Sequence, residues 1–215
     1  MSRSLAPVLL TSIACACGSH GPIPSAPTPA SVRYHDLLAK VQSRDTSIDF
    51  TSLRLAYAAS SEYAPYGSGA DAHRDSMLAA FRRQDFRRAI LEADAALTID
   101  YLDIRTHLLR GAASERLGDT AAAGWDRAIA GRLVRSIMLS GSGTVDSPYV
   151  VISVAEEYGV LEVTGYVRGV QGLGRCGKRP CDILEATHRE THQQRTFHFD
   201  ITLPMAHMNR LLREK

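Results

Sequence analysis

From Ser31 to about Ser140 the apolar residues recur three and four positions apart, the spacing of helices with one buried face. Ser31 is a plausible cap for a first stripe at Tyr34, Leu37, Leu38 and Val41. Asp49-Phe50 leads into Leu53, Leu55, Tyr57 and Ala58, and the pattern breaks at Tyr63-Ala64-Pro65-Tyr66-Gly67. Alanine-rich helices are predicted over about 71–83, 86–97, 102–117 and 121–139. Gly141-Ser142-Gly143-Thr144 then ends the helical half, and the period changes to two. Strands are predicted at Tyr149–Val154, Val160–Val170, Asp182–Thr187 and Arg195–Thr202. In the last, Phe197, Phe199 and Ile201 alternate with His198, Asp200 and Thr202. After Pro204 a short closing helix places Met208, Leu211 and Leu212 on one side. Helices first and an antiparallel sheet of about four strands afterwards make the fold class α+β. One domain over 32–215 is expected, helical over 32–140 and sheet over 148–215.

The helical half contains an internal offset. Shifting the chain by 34 residues lays Asp85 on Asp119, Ala89 on Ala123, Ala96 on Ala130, and Gln84 on Gly118. Gln84-Asp85-Phe86 with Ala89, Ala93, Ala96 and Leu97 resembles the second helix of a tetratricopeptide repeat, and Leu117-Gly118-Asp119 is a weaker copy. Fewer than two repeats cannot bury their faces alone. The hairpins must therefore cover the sheet; an ordinary alanine-rich bundle is the alternative.

The first residues read as an address. Arg3 precedes an apolar run from Leu5 to Ala16 that ends in Ala14-Cys15-Ala16-Cys17. A basic start, a short apolar core and an A-x-A end form a secretory signal over 1–16, too short to span a bilayer. Cys17 directly after that end resembles the lipobox of bacterial lipoproteins, with Cys15 as the alternative acylation site and plain secretion as the other reading. The stretch 17–31 is rich in Pro, Ser, Thr and Gly, which suits an extended tether roughly 40 Å long. The expected location is the bacterial cell envelope, lipid-anchored and facing the periplasm or the exterior. With 45% hydrophobic and 22% charged residues the rest can bury a core. A net charge of +2 implies no electrostatic partner. Arg82, Arg83, Arg87 and Arg88 interleave with Asp85, Glu92 and Asp94. That reads as a solvated helix face rather than a nucleic-acid surface.

Candidate chemistry is sparse. Cys176 and Cys181 bracket a Gly/Pro-containing turn, and in an exported protein such a pair reads as a disulfide. Free thiols, or a zinc site completed by His188 and His192, are the alternatives, and six residues between Cys181 and His188 are few for zinc. Glu156 and Glu157 are adjacent carboxylates at a predicted strand end, where alternate residues point to opposite faces. One is then solvated and the other bonded to Tyr158 or an arginine; if buried, either becomes the chain's best perturbed acid. His107 falls in the apolar register of Ile104, Leu108 and Gly111, the usual position of a satisfied core histidine. His198 shares a strand face with Asp200. Tyr63, Tyr66 and Tyr158 are candidate binding residues. No nucleophile elbow, zinc-protease helix or phosphate loop is present, and no cofactor is implied.

Several segments carry a family resemblance. Phe50, Leu53-Arg54, Tyr57 and Tyr63-Ala64-Pro65-Tyr66 precede Glu156-Glu157-Tyr158, Gln171-Gly172-Leu173, Cys181-Asp182 and Phe197-His198-Phe199-Asp200. In that order they resemble the bacterial family labelled domain of unknown function 4919, over about Asp49 to Leu203. The resemblance implies a secreted or lipid-anchored protein without an assigned activity; the cysteine pair departs from the pattern. The reading leans away from catalysis, toward a module that binds a protein or peptide of the envelope. An envelope hydrolase using Glu156 or Glu157 with a histidine is the alternative.

Overall fold

A computed structural model describes residues 28–213 apart from residue 46. The signal, Cys15, Cys17 and most of the Pro-rich stretch lie outside the described residues. Eight helices and four strands follow one another: α1 (Pro29–Gln42), α2 (Phe50–Ala59), α3 (Asp71–Arg82), α4 (Phe86–Ile99), α5 (Ile104–Arg116), α6 (Thr120–Met138), β1 (Tyr149–Val150), α7 (Val154–Val163), β2 (Tyr166–Cys176), β3 (Arg179–His188), β4 (Gln194–Asp200) and α8 (Thr202–Arg213). The fold is α+β, helices first and strands after, as the change of period predicts. None of the described helices is long and apolar enough to cross a membrane.

Local chemistry explains most boundaries. Side-chain oxygens of Asp49, Asp85, Asp103, Asp119 and Ser153 accept backbone N–H groups at the starts of α2, α4, α5, α6 and α7. At α1 the cap is Thr28 and not Ser31, because Pro29 occupies the first turn, where its missing N–H costs nothing. The 34-residue offset is real in the backbone. Gln84 and Gly118 both take positive φ, 61° and 83°. Asp85 N–H donates to Ala80 O and Asp119 N–H to Ser114 O, at 3.0 and 2.9 Å, across that same offset. Thus α3/α4 and α5/α6 are two hairpins with one turn geometry. Between them Met77, Ala80, Ala89, Ala93 and Ala113 form a small core of their own.

The sheet order is β1-β4-β3-β2. The pairs β2/β3 and β3/β4 are antiparallel as expected, but β1 runs parallel to β4, so the sheet is mixed. The predicted strand 149–154 shrinks to two residues. The predicted strand from Val160 is overturned: Val160, Leu161 and Val163 end α7, and β2 begins only at Tyr166. Leu184, Ala186, Phe197 and Phe199 face the helices and share one core with Ile129, Leu133 and Ile137 of α6 and Val160 and Leu161 of α7.

The approach of α7 to α5 depends on Gly159. A Cβ there would stand 2.7 Å from Ile104 Cδ1 and 2.9 Å from its Cβ. We expect Gly159→Ala to destabilise by about 1–2 kcal/mol, overpacking outweighing the gain in helix propensity. Gly124→Ala on α6, with nothing within 4 Å, should be neutral or stabilising. Urea midpoints of the two variants measure this, and equal midpoints would contradict it.

Candidate functional site

The first turn of α7 carries Glu156 and Glu157, and a helix does what a strand could not. Successive helical residues diverge by about 100°, so the two carboxyls enter different surroundings, and both are buried. Glu156 receives a two-pronged bond from Arg54 of α2, with Nε to Oε1 and Nη2 to Oε2 both 2.6 Å. Its Oε2 also accepts Ile152 N–H at 2.8 Å. The guanidinium further donates to Val150 O and Ser136 Oγ. This pair is a clamp between helices 102 residues apart in sequence, and nothing about it invites substrate.

Glu157 sits among acids. Burial, the nearby Asp182 charge and a hydrogen bond shared with Asp182 push its carboxyl up to about 9. A carboxyl raised this far favours its protonated form at neutral pH. Gln171 of β2 closes the group. Its Nε2 donates to Asp182 Oδ2 at 2.6 Å and approaches Glu157 Oε2 at 3.5 Å. Tyr158 donates its hydroxyl to Gln171 Oε1 at 2.7 Å. Tyr66 is half-exposed, and its phenol is raised by burial and by the Glu157 charge. Tyr63 is buried and donates to Ile152 O at 2.5 Å, a structural tie rather than an open binding residue.

The histidines separate from these acids. His107 is fully buried and satisfied on both nitrogens, Nδ1 by Asp126 Oδ1 at 2.8 Å and Nε2 by Tyr101 O at 2.9 Å. Arg110 also holds Asp126, through Nε and Nη2 at 2.9 and 2.6 Å. His198 does not pair with Asp200, whose carboxylate accepts from Thr202 and Arg179 at the start of α8. Cys176 and Cys181 are joined, so the disulfide reading stands and free thiols and the zinc site are overturned. His188 lies at the other end of β3 from Cys181, about 23 Å along an extended strand. No cluster of metal-ligating side chains occurs among the described residues.

Among the described residues a cleft of about 560 Å³ lies between the α3 and α5 hairpins and the edge formed by α7 and β2. Such volumes accommodate small molecules or a few peptide residues. Tyr158, Tyr166, Leu78, Met77 and Val167 supply apolar wall. Arg168 stacks over the Tyr158 ring at 4.5 Å, and Arg105 faces Glu162 at 3.8 Å. Arg74 is consumed by Asp71, Asp100 and Asp103. On the α5 wall Thr106, 1% exposed, has a hydroxyl with no partner. The sequence offers Tyr158 as a candidate binding residue and Gln171 only as part of the family resemblance, and it does not single out Thr106 or Arg168. A buried hydroxyl has no sequence signature, whereas Ser153-x-x-Glu156, a capping-box pattern, could have announced α7.

The segments carrying the family resemblance thus converge on α7: Arg54 on Glu156, and Gln171 and Asp182 on Glu157. A family model, Domain of unknown function (DUF4919), matches residues 28–210. The chain belongs to this family. The DUF4919 match extends beyond 49–203 at both ends, taking in α1 and most of α8. No curated protein and no solved structure matches the chain.

Proposed function

We propose that this DUF4919 chain is a lipid-anchored envelope protein, exported by residues 1–16 and acylated at Cys17, that acts as a non-enzymatic binding or assembly module. The observation that carries the binding half is the cleft. It is large and faced by aromatic and aliphatic side chains, with Arg168 stacked at its rim. A peptide-like ligand suits it, since its side chains could lie on Tyr158 and Tyr166.

The hydrolase alternative has one feature in its favour, the raised Glu157 carboxyl beside Asp182. Against it, Glu157 is fully buried, and the only histidine–carboxylate pair described at bonding distance inside the core, His107–Asp126, is sealed from solvent. Burial of both acids favours the binding reading over this one.

The test replaces Val167, on the cleft wall, with a photo-crosslinking residue in the leader-bearing chain within its own envelope. A discrete adduct is expected there and not from the same residue at Leu91 on α4. Equal adducts from both positions would overturn the binding reading. Mass spectrometry of the membrane fraction should find an acylated peptide beginning at Cys17; an unmodified mature terminus in the medium would overturn the anchor.

A further inference from the structure

Helix α8 is an amphipathic element that the fold leaves mostly uncovered. Only Pro204 of its residues is buried. Met205, Met208, Leu211 and Leu212 stay 37%, 37%, 45% and 63% exposed. Scattered exposed apolar residues need no explanation, but four along twelve residues of one helix form a stripe. The rest of α8 is Thr202, Leu203, Pro204, Ala206, His207 and Asn209 with Arg210 and Arg213 in its last turn, and no acidic residue lies between Thr202 and Arg213. Glu214 and Lys215 beyond it cancel in charge.

Its position matters as much as its composition. The groove beside α8 is lined by His207, Arg210 and Leu211 together with Thr28, the first described residue. Ala59 of that groove also belongs to a neighbouring one, which adds Pro29 and Leu55, the latter 44% exposed. Leu211, Ala58, Ala59 and Leu55 therefore link α8 to the point where the described residues begin, among the polar side chains of Thr28, Ser60 and Ser61. From Cys17 to Thr28 is a step of 11 residues, at most roughly 40 Å when fully extended. A lipid on Cys17 would hold the point where the described residues begin, and the neighbouring α8, within that reach of the bilayer.

We propose that α8 docks the domain onto an anionic lipid surface, with Met205, Met208 and Leu212 in the interface and Arg210 and Arg213 among the headgroups. A basic amphipathic helix of this kind lies in the interface plane, binds an anionic surface through its own apolar stripe and charge, and adds that affinity to any acyl anchor. The proposal deepens the address half of the proposed function and rests on it.

The test uses the full chain with Cys15→Ser and Cys17→Ser, the Cys176–Cys181 disulfide intact, and one introduced thiol carrying an environment-sensitive fluorophore. Leu212→Cys labels α8, and Leu91→Cys labels α4, where Leu91 is 58% exposed. With phosphatidylglycerol vesicles containing acyl-brominated lipid, quenching at position 212 should be at least about threefold that at position 91, and salt should weaken it. Equal quenching at the two positions, or none at 212 while the chain pellets with vesicles, would overturn the docking. So would a label at 212 already shielded without vesicles, whether by a second copy in a sedimenting dimer or by the chain's own leader. The lipid-anchor reading fails separately, through the missing acylated peptide.

Discussion

Replacing Arg54 by Met, with Glu156 left in place, should lower the melting temperature by on the order of 10 °C. Both side chains are 3% exposed, and the bidentate bonds are accompanied by donations to Val150 O and from Ile152 N–H. Removing one partner of such a pair leaves an uncompensated buried charge, about 3–5 kcal/mol. For a chain of this size each kcal/mol shifts the melting point by roughly 2–4 °C. Glu156→Gln should act similarly, because Arg54 then loses its counter-ion. Arg54→Lys should recover little, since an ammonium cannot reproduce the fork. The double replacement Arg54→Met with Glu156→Met removes both charges and should restore much of the loss. Single variants as stable as the parent by calorimetry would refute the clamp.

Glu157→Gln should instead stabilise the protein in mildly alkaline solution. The carboxyl is raised from 4.5 to about 9 on folding, so above pH 4.5 the unfolded chain releases a proton that the folded chain keeps. Stability from this group is therefore full in acid and falls as pH rises toward 9. Gln resembles the protonated acid, retains a donor for Asp182, and does not titrate. At pH 8 the variant should exceed the parent by on the order of 5 kcal/mol, with the gap closing toward pH 4. Denaturant unfolding across that range measures the gap. A parent that gains stability between pH 5 and 8 relative to the variant would reverse the assignment of the proton.

What could be read in advance follows from which forces are local. Helix caps and the left-handed turns at Gln84 and Gly118 depend on neighbouring residues, so the two hairpins and their offset were visible in the sequence. Helix α7 was not. It is packed by α5 and α6 on one side and the sheet on another, and Val160-Leu161 with Val163 carries no helical stripe, only a short apolar β-branched run. Such runs do not distinguish a buried helix from a strand. Misreading α7 put the two glutamates on opposite faces of a strand. In the fold they part company on a helix instead, one to Arg54 and one to Asp182. Those partners lie 102 residues before and 25 residues after them, and no local pattern encodes such pairings. Arg54, Gln171 and Asp182 stood out only as parts of the family resemblance, without roles. The cleft itself arises where hairpin and sheet edge meet, and its unpartnered Thr106 hydroxyl is a tertiary fact.

The most direct measurement compares Arg168→Glu and Glu157→Gln in the crosslinking experiment at position 167, both variants first shown to be folded. If the cleft is the functional surface and the buried acid only shapes α7, Arg168→Glu removes the adduct while Glu157→Gln preserves it. An adduct that survives Arg168→Glu yet disappears with Glu157→Gln would return function to the acid pair and contradict the account.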